Sequence, residues 1–407
     1  MAGVSKGRES EPAGALEGLR VLDLTRILAG PLCTMTLGDM GADVIKVEPP
    51  GTGDDTRTWG PPFAEKESAY FLGVNRNKRS ITLNIGVKPG QEILAKLIAR
   101  SDVLVENFKV GTLEKWGFGN DWLEAHAPQV VRCSITGYGS TGPKAGLPGY
   151  DFILQAESGL MSICGEPDGE PMKYGVAIVD ICTGMLACNA ILAALQARHR
   201  TGKGQHVEVS LFDSSLAMLA NVASNHLISG RDARRFGNGH PNIVPYTAYP
   251  VQDGMIAVAV GNDAQFAKFS ALLDKPEWAG DKRFAKNPDR VANREALDSA
   301  IAALLQNDMA EAWLSKLTAG GIPCGRINSV AQALADPHTA ARGMVRTLHH
   351  PTAGDVQTIG IPFRFSATPA SVRRAPPTLG QHTEQVLRDV LELSDTRITE
   401  LRAAKVI

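Results

Sequence analysis

The sequence predicts a doubly wound α/β fold, with a large domain built on a mostly parallel sheet and a smaller α+β domain inserted into it. The first observation is a short apolar run at residues 19–24, followed by helix-spaced apolar positions over 29–41 and a second strand-like run at 43–47. A strand, a helix and a strand in close succession form a βαβ unit, which requires a parallel strand pair and a right-handed crossover.

The second observation is that this pattern repeats. Residues 80–83, 102–106 and 130–135 are typical of strands, and 89–99 is typical of an amphipathic helix. The layout is therefore Rossmann-like. The first strand-to-helix turn, residues 24–31, lacks the GxGxxG glycines that bring a backbone close to a pyrophosphate. We therefore expect the Rossmann-like layout without a dinucleotide site.

The third observation is a change of character after residue 228. Apolar and polar residues alternate over 246–260 around Asp253-Gly254, which is typical of a β-hairpin, and three helical patterns follow. A strand at 206–210 and a helix at 213–228 precede this change, and a helix is expected over 185–198. We expect residues 1–227 and 329–407 to form the large domain and 228–328 to form the small one.

Composition excludes several classes of protein. Hydrophobic residues make up 43% of the 407 residues and charged residues 21%, as in an ordinary globular enzyme. Forty-two basic residues nearly balance forty-three acidic ones, so no global field favours nucleic acid or an anionic membrane. No run approaches the roughly 18 apolar residues that span a bilayer. We expect neither nucleic acid nor membrane as a partner.

The cysteines and the first residues indicate a cytoplasmic location. The six cysteines are scattered, with no CxxC pair and no histidine at metal-ligand spacing, so they predict reduced thiols and no metal site. The first 18 residues contain no apolar segment of the kind that a secretory signal requires. Their polar composition predicts a loose tail.

Asp180 is the most informative single residue, because it stands alone in an apolar run just before a long helical pattern. It could be a helix N-cap, which is a common use of aspartate. It could also be a nucleophile that is partly desolvated between Val179 and Ile181, kept ionised and aimed by the helix N-terminus. The sequence leaves both alternatives open, and one geometry could satisfy both.

Ordered motifs along nearly the whole chain resemble the class III CoA-transferases, the CaiB/BaiF type. They are GLRVLDLTRILAGP at 18–31, GADVIKVE at 41–48, VNRNKRSI at 74–81, ENF at 106–108, SITGYGSTGP at 134–143, TGKGQ at 201–205 and LGQHT at 379–383. Asp180 falls on the position of the nucleophile in that family.

The resemblance implies a ping-pong reaction in which Asp180 attacks an acyl-CoA thioester and later carries CoA as an aspartyl thioester. A carboxylate nucleophile suits an exchange that must run in both directions. The resemblance also implies an interlocked homodimer, a coenzyme A thioester as substrate and no tightly bound cofactor.

Candidate binding residues come from side-chain chemistry and, for the CoA path, from the resemblance. Arg57, Arg235 and His240 are candidates for holding a second carboxylate of the substrate, and Gly237 and Gly239 are candidates for donating amides to a developing oxyanion in a mobile flap. The loop at 237–240 could equally be plain and flexible. The candidates for the CoA path are Ile27, Leu28, Leu83, Asn107, Phe108, Lys115 and Tyr150.

Basic residues near the second strand leave two interpretations open. Arg57, Arg76, Lys78 and Arg79 could meet phosphates or a carboxylate, and each could equally be a solvated surface charge. The family usually has Glu-Arg-Pro-Gly after the second strand, and here the residues are Glu48-Pro49-Pro50-Gly51. A cation near the CoA phosphates is therefore missing.

Alternative functions remain at this stage. Related 2-methylacyl-CoA racemases use a histidine where this chain has Tyr150, and a phenol is a poor group for proton exchange in both directions near neutral pH. A CoA-binding protein without catalysis would need Asp180 only as a cap. Residues 53–63 and 243–246 resemble the succinyl-CoA:glutarate members, which favours dicarboxylates such as succinate and glutarate as acceptors. Oxalate, a hydroxy-dicarboxylate and carnitine remain alternative acceptors.

Overall fold

The computed structural model describes residues 13–407, so the tail predicted for the first residues lies largely outside the described part. The strands are β1 (Arg20–Asp23), β2 (Asp43–Glu48), β3 (Phe63–Ala64), β4 (Glu67–Ser68), β5 (Lys78–Thr82), β6 (Val103–Glu106), β7 (Val131–Thr136), β8 (His206–Ser210), β9 (Tyr246–Val251), β10 (Gly254–Ala259), β11 (Cys324–Arg326), β12 (Val345–His350) and β13 (Gly354–Ile359).

Helices connect most of these strands. They are α1 (Ala29–Asp39), α2 (Ala69–Val74), α3 (Lys88–Ala99), α4 (Thr112–Lys115), α5 (Asn120–His126), α6 (Asp151–Glu157), α7 (Ile178–Thr201), α8 (Leu211–Met218), α9 (Ala220–Ser229), α10 (Asp263–Leu272), α11 (Asn287–Ala292), α12 (Arg294–Leu305), α13 (Ala310–Ala319), α14 (Val330–Ala335), α15 (Pro337–Ala341), α16 (Thr383–Asp389) and α17 (Asp395–Ala403), with short 3-10 turns at Asp55–Thr58, Met161–Ile163 and Pro276–Gly280.

The chain divides into two compact units, and the first contains the predicted parallel sheet. This unit consists of the chain up to Ser158, Gly175–Met218 and Pro337–Ile407. Its six strands follow the order β5-β2-β1-β6-β7-β8, and every neighbouring pair is parallel. Counted along the chain, that is the order 3-2-1-4-5-6 of the doubly wound fold. The predicted parallel α/β architecture is confirmed.

Apolar side chains on one face of the sheet form the core with α3 and the C-terminal helices. Helix α3 has Pro89 in its first turn and buries Ile93, Leu94, Leu97 and Ile98, which the helical repeat places on one side. Val386 of α16 and Ile398 of α17 pack into the same cluster. The C-terminal segment therefore completes the core that the first strands begin.

Helix α7 packs against α1 through a glycine. A Cβ on Gly184 would lie 2.5 Å from the backbone oxygen of Ala29, so only glycine allows this approach. Within residues 13–407, α7 is the one helix long and apolar enough to cross a bilayer by length and composition. The expectation that no such run exists was therefore wrong, although a buried core helix satisfies the same criteria.

The second unit consists of Gly159–Tyr174 and Leu219–Asp336. Its antiparallel sheet has the order β11-β10-β9, with the predicted hairpin between Val251 and Gly254. Phe266, Phe269 and the apolar face of α12 form its core. The unit differs from the expected 228–328, because it also includes Gly159–Tyr174 and ends at Asp336. It resumes at Leu219, where the expected helix at 213–228 breaks before Ala220, whose φ is +44°. No glycine or proline in that stretch indicates the break.

Candidate active site

A cavity of about 300 Å³ lies in the first unit, at the carboxyl ends of β1 and β6. These two strands are neighbours, and the chain leaves them toward opposite edges of the sheet, which makes this the topological switch point. Ligands of doubly wound folds bind at such crevices. The cavity walls come from residues 26–29, 107–110, 135–139 and 146–150, and Asp180 and Leu211 complete them.

Two glycines bring two of these walls together. A Cβ on Gly149 would lie 2.4 Å from the Cα of Gly137, and one on Gly137 would lie 2.7 Å from the Cα of Gly149. The two backbones therefore touch directly, and this contact fixes the loop that carries Tyr150 against the end of β7.

Asp180 is the third residue of α7, not its N-cap, and its side chain makes no capping bond. The cap is Asp151, the first residue of α6. One oxygen of Asp151, Oδ1, accepts hydrogen bonds from the backbone N–H of Val179 at 2.8 Å and of Asp180 at 3.3 Å. The carboxylate of Asp180 accepts no hydrogen bond from any residue between 13 and 407. The capping alternative for Asp180 is therefore wrong.

The environment of Asp180 favours its protonated form. Burial, with a smaller contribution from the nearby charge of Asp151, raises the pKa of Asp180 to about 7. The helix N-terminus acts in the opposite direction. The helix N-terminus alone was expected to keep this carboxyl ionised, and that expectation does not hold. With a pKa of about 7, the protonated and ionised forms are both populated near neutral pH.

This pKa gives a testable pH dependence for the nucleophilic role that the family resemblance implies for Asp180. In that role only the carboxylate would react, so kcat/KM for acyl-CoA should rise with pH below about 7 and level off above it. Asp151→Asn removes the like charge but keeps an oxygen that can cap α7, so the midpoint moves to lower pH while burial keeps it above 3.8. Stopped-flow or steady-state pH–rate profiles of the two proteins measure this. A wild-type midpoint near the ordinary aspartate value contradicts the prediction.

Residues that the sequence did not single out also surround Asp180. Burial raises the pKa of Tyr70 to about 12, and the charges of Asp180, Asp151 and Asp54 contribute. The Tyr70 phenol therefore stays protonated within the electrostatic reach of Asp180. Asp151 stands in the Gly-Tyr-Asp triplet, but that triplet drew attention only to Tyr150, because capping over a long sequence separation leaves no local pattern.

Most of the residues predicted for the CoA path share this cavity with Asp180. Leu83 and Lys115 do not line it. Leu83 is 1% exposed and packs in the core beside Ile81, and Lys115 ends α4. The basic residues that line the cavity are Arg26 and Lys109 instead. The predicted residues found at the cavity are Ile27, Leu28, Asn107, Phe108 and Tyr150.

The basic residues near β5 are internal ion pairs and not ligands of the cavity. Arg57 donates to both oxygens of Glu48 at 2.7 Å, so its guanidinium is already held by a carboxylate and does not line the cavity. Lys78 is fully buried against Asp23 at 3.0 Å. Arg76 and Arg79 bind Asp39 and Asp43 in the same way. Neither interpretation offered for these residues, phosphate contact or solvated charge, describes them.

The other predicted site residues lie in the second unit. Arg235 donates to the backbone oxygens of Ser162, Glu166 and Gly169, so it fastens the 159–174 segment. Nδ1 of His240 accepts from the N–H of Asn242 at 3.1 Å. Gly237, with a φ of +56°, and Gly239 line a separate cavity of about 700 Å³. The oxyanion role of these two glycines stays a prediction.

Between residues 13 and 407 no group of three or more histidine, cysteine, aspartate or glutamate side chains could hold a metal ion. All six cysteines are free, and Cys33, Cys133 and Cys188 are buried.

Fold and cavity together define a doubly wound α/β protein with a carboxyl of raised pKa in the crevice at its topological switch point. The chain belongs to CoA-transferase family III, whose profile matches residues 16–383. It is 44% identical to human succinyl-CoA:glutarate CoA-transferase over 96% of this chain and 90% of that protein. It is 43% identical to succinate–glutarate CoA-transferase of Agrobacterium fabrum, over 94% and 97% of the two chains.

A solved structure shows the same architecture. A CaiB/BaiF family protein from Brucella suis is 46% identical, with a TM-score of 0.82 over 93% of this chain and all of that one. The family resemblance read from the ordered motifs is therefore confirmed, and the protein is a CoA-transferase that acts on CoA thioesters.

Proposed function

We propose that this enzyme transfers CoA from succinyl-CoA to glutarate or a similar dicarboxylate, with Asp180 as the covalent nucleophile. The observation that carries the proposal is the position of Asp180. It is the one carboxylate whose pKa is raised to about 7 within residues 13–407, and it lines the same cavity as five predicted CoA-path residues. The names of the relatives support the choice of substrates.

The proposed reaction balances in four steps. An oxygen of the Asp180 carboxylate attacks the thioester carbonyl, and CoA leaves as a thiolate, giving a mixed anhydride of Asp180 and the acyl group. The thiolate then attacks the Asp180 carbonyl and releases the donor carboxylate. The acceptor carboxylate attacks the resulting aspartyl-CoA thioester, giving a second anhydride and the thiolate. The thiolate finally attacks the acyl carbonyl of that anhydride and regenerates Asp180.

The geometry suits a nucleophile of this kind. A carboxylate without hydrogen-bond donors is poorly solvated, so little solvation has to be removed before it attacks. Its position in the first turn of α7 places the positive end of the helix beside the negative charge that develops on the attacked carbonyl. The backbone bonds from Val179 and Asp180 to Asp151 fix the direction of that turn.

Mass spectrometry of protein quenched during turnover tests the covalent step. After mixing with succinyl-CoA, a peptide that contains Asp180 should carry the mass of CoA, bound as a thioester. Asp180→Asn should carry none, and Asp151→Asn, whose side chain is a cap in our assignment, should still carry it. CoA on a different residue, or no adduct in an active enzyme, would falsify the assignment.

A panel of acceptors tests the substrate class. With succinyl-CoA as donor, kcat/KM should be highest for glutarate and for unsubstituted dicarboxylates of similar length, because the relatives' names give glutarate as their substrate. Oxalate, a hydroxy-dicarboxylate, acetate and carnitine serve as competitors, and exchange of the α-proton of a 2-methylacyl-CoA tests racemase activity. Preference for a monocarboxylate or for carnitine contradicts the proposed substrate class. Binding of CoA without any exchange would show a CoA-binding protein without catalysis and would contradict the proposed activity.

We also propose that the enzyme is an interlocked homodimer in the cytoplasm. Large apolar side chains of the first unit are exposed in the single chain, among them Tyr150 of the cavity wall at 64%, Phe152 at 54% and Met185 at 56%. A second copy of the chain that covers these side chains would explain why they are apolar although they are exposed in the single chain. Sedimentation equilibrium should give twice the mass of the chain, and Met185→Glu should shift it toward the monomer. A wild-type monomer at micromolar concentration contradicts the homodimer.

A further inference from the structure

Ile27 adopts a backbone conformation that its side chain disfavours. Its φ is +72°, in the left-handed region, where β-branched residues are genuine outliers. It also lines the cavity that contains Asp180. Strained residues persist only where the surrounding structure holds them in place, and they concentrate at ligand sites. The contacts that hold Ile27 therefore indicate how the cavity keeps its shape.

Asp54 provides the contact to the backbone of Ile27. Its Oδ1 accepts a hydrogen bond from the N–H of Ile27 at 3.3 Å, and it also accepts from the N–H and hydroxyl of Thr56 at 3.0 and 2.8 Å. Asp54 is 1% exposed. Although burial opposes it, the charge of Lys46 holds the pKa of Asp54 below its usual value. The acceptor is therefore an ionised carboxylate inside the protein.

Lys46 connects the carboxylate to the other side of the strained residue. Its Nζ is fully buried and donates to Oδ2 of Asp54 at 2.9 Å and to the backbone oxygen of Thr25 at 2.8 Å. The residue between Thr25 and Ile27 is held by the side chain of Asn107. This amide accepts from the N–H of Arg26 at 2.9 Å and donates to the carbonyl of Arg26 at 2.8 Å. Three consecutive residues, 25 to 27, are thus fixed by side chains from three different segments.

We propose that Asp54, held by Lys46, is a positioning residue that keeps Ile27 in the left-handed conformation and so shapes the cavity for acyl-CoA. Ile27 is followed by Leu28 and Ala29, which also line the cavity, so a relaxed Ile27 would move a continuous stretch of its wall. This inference rests on the proposed function only in taking the ligand of the cavity to be a CoA thioester. It does not depend on Asp180 being the nucleophile.

A purely structural role for the ion pair makes a different prediction. Losing a structural contact lowers thermal stability and the fraction of active protein. That lowers the apparent kcat and leaves the KM of each substrate unchanged. Losing a positioning contact raises the KM for acyl-CoA and leaves the KM for the acceptor carboxylate unchanged. Ping-pong kinetics separate the two values, and calorimetry with CoA itself measures binding without turnover.

The test is the change Asp54→Asn in three backgrounds. With Ile27 present, the KM for acyl-CoA and the Kd for CoA should rise about tenfold, because small misplacements in a site cost one to two orders of magnitude. In the Ile27→Ala background the same rise should occur, since alanine also disfavours the left-handed region. In the Ile27→Gly background the rise should fall below about twofold, since glycine adopts that conformation without strain.

Equal effects of Asp54→Asn in all three backgrounds would overturn the proposal. If Asp54→Asn does not fold, the pair Ile27→Ala and Ile27→Gly decides alone. The glycine variant should then melt at the higher temperature despite its greater backbone entropy, and the opposite order would remove the strain on which the inference depends. An active enzyme without CoA on Asp180 would contradict the proposed function, and it would leave this comparison intact.

Discussion

Asp180→Asn should lower kcat/KM for acyl-CoA by at least about 10⁴-fold, as the loss of a covalent nucleophile does in other enzymes, and it should also stabilise the protein. The loss of activity follows because an amide cannot form the anhydride or the aspartyl thioester. The gain in stability follows because the carboxylate is half-buried beside Asp151 without a hydrogen-bond donor. Turnover of succinyl-CoA and thermal unfolding measure the two effects.

The pH dependence of the stabilisation has a definite sign. The pKa of Asp180 is raised in the folded state, so the native protein binds this proton more tightly than the unfolded chain does. Stability from this group is present at low pH and is lost as pH rises from the unfolded pKa of 3.8 to about 7. The melting temperature of Asp180→Asn should therefore exceed that of the wild type by an amount that grows over this window and then stays constant.

The size of the effect is limited by what asparagine retains. A rise from 3.8 to about 7 corresponds to roughly 4 kcal/mol of unfolding free energy at about 1.4 kcal/mol per pKa unit. The amide is also buried without a partner and keeps part of that cost, so a net gain of about 1–3 kcal/mol is expected. Asp213→Asn, an exposed acidic residue in the first turn of α8, is the matched control and should change neither property. An active or destabilised Asp180→Asn contradicts the assignment.

The sheet could be predicted from the sequence because most of its strands are short runs rich in apolar residues, and all but β8 are largely buried. Residues 206–210 were predicted with the bounds that the structure shows, and most of the other predicted elements of the first unit agree within a few residues. Helix α7 begins earlier than predicted, at Ile178, because Asp180 interrupts the apolar pattern that would mark its start. The break at Ala220 left no signal because no glycine or proline marks it.

A site residue could be predicted only where its type is unusual for its sequence surroundings. Asp180 stood out because an isolated carboxylate in an apolar run needs a reason. Lys46 and Lys78 are typical surface residues by type, and their burial depends on Asp54 and Asp23, which lie elsewhere in the chain. Whether Lys109 or Lys115 reaches the cavity depends on the course of one loop, which the sequence pattern does not fix.

Gly184→Ala should lower kcat/KM by about 10²-fold, although residue 184 does not line the cavity. Gly184 lies one turn after Asp180 on α7, and an added Cβ would meet the backbone oxygen of Ala29 at 2.5 Å. Because that atom is backbone, α7 and the start of α1 must move apart, and Asp180 moves relative to the wall formed by Leu28 and Ala29. A displacement of about 1 Å costs on the order of 10²-fold in rate.

Stability should fall at the same time, by about 1–3 kcal/mol, because the helix pair is overpacked. Gly73→Ala is the matched control, since Gly73 is also helical and a Cβ there would meet no atom within 4 Å. That change should leave activity unaltered and stabilise slightly, because alanine favours a helix more than glycine does. Comparison of kcat/KM and melting temperature for the two variants separates close packing from helix propensity. If Gly184→Ala were as active as Gly73→Ala, the contact between α7 and α1 would not be what places Asp180 against the cavity wall.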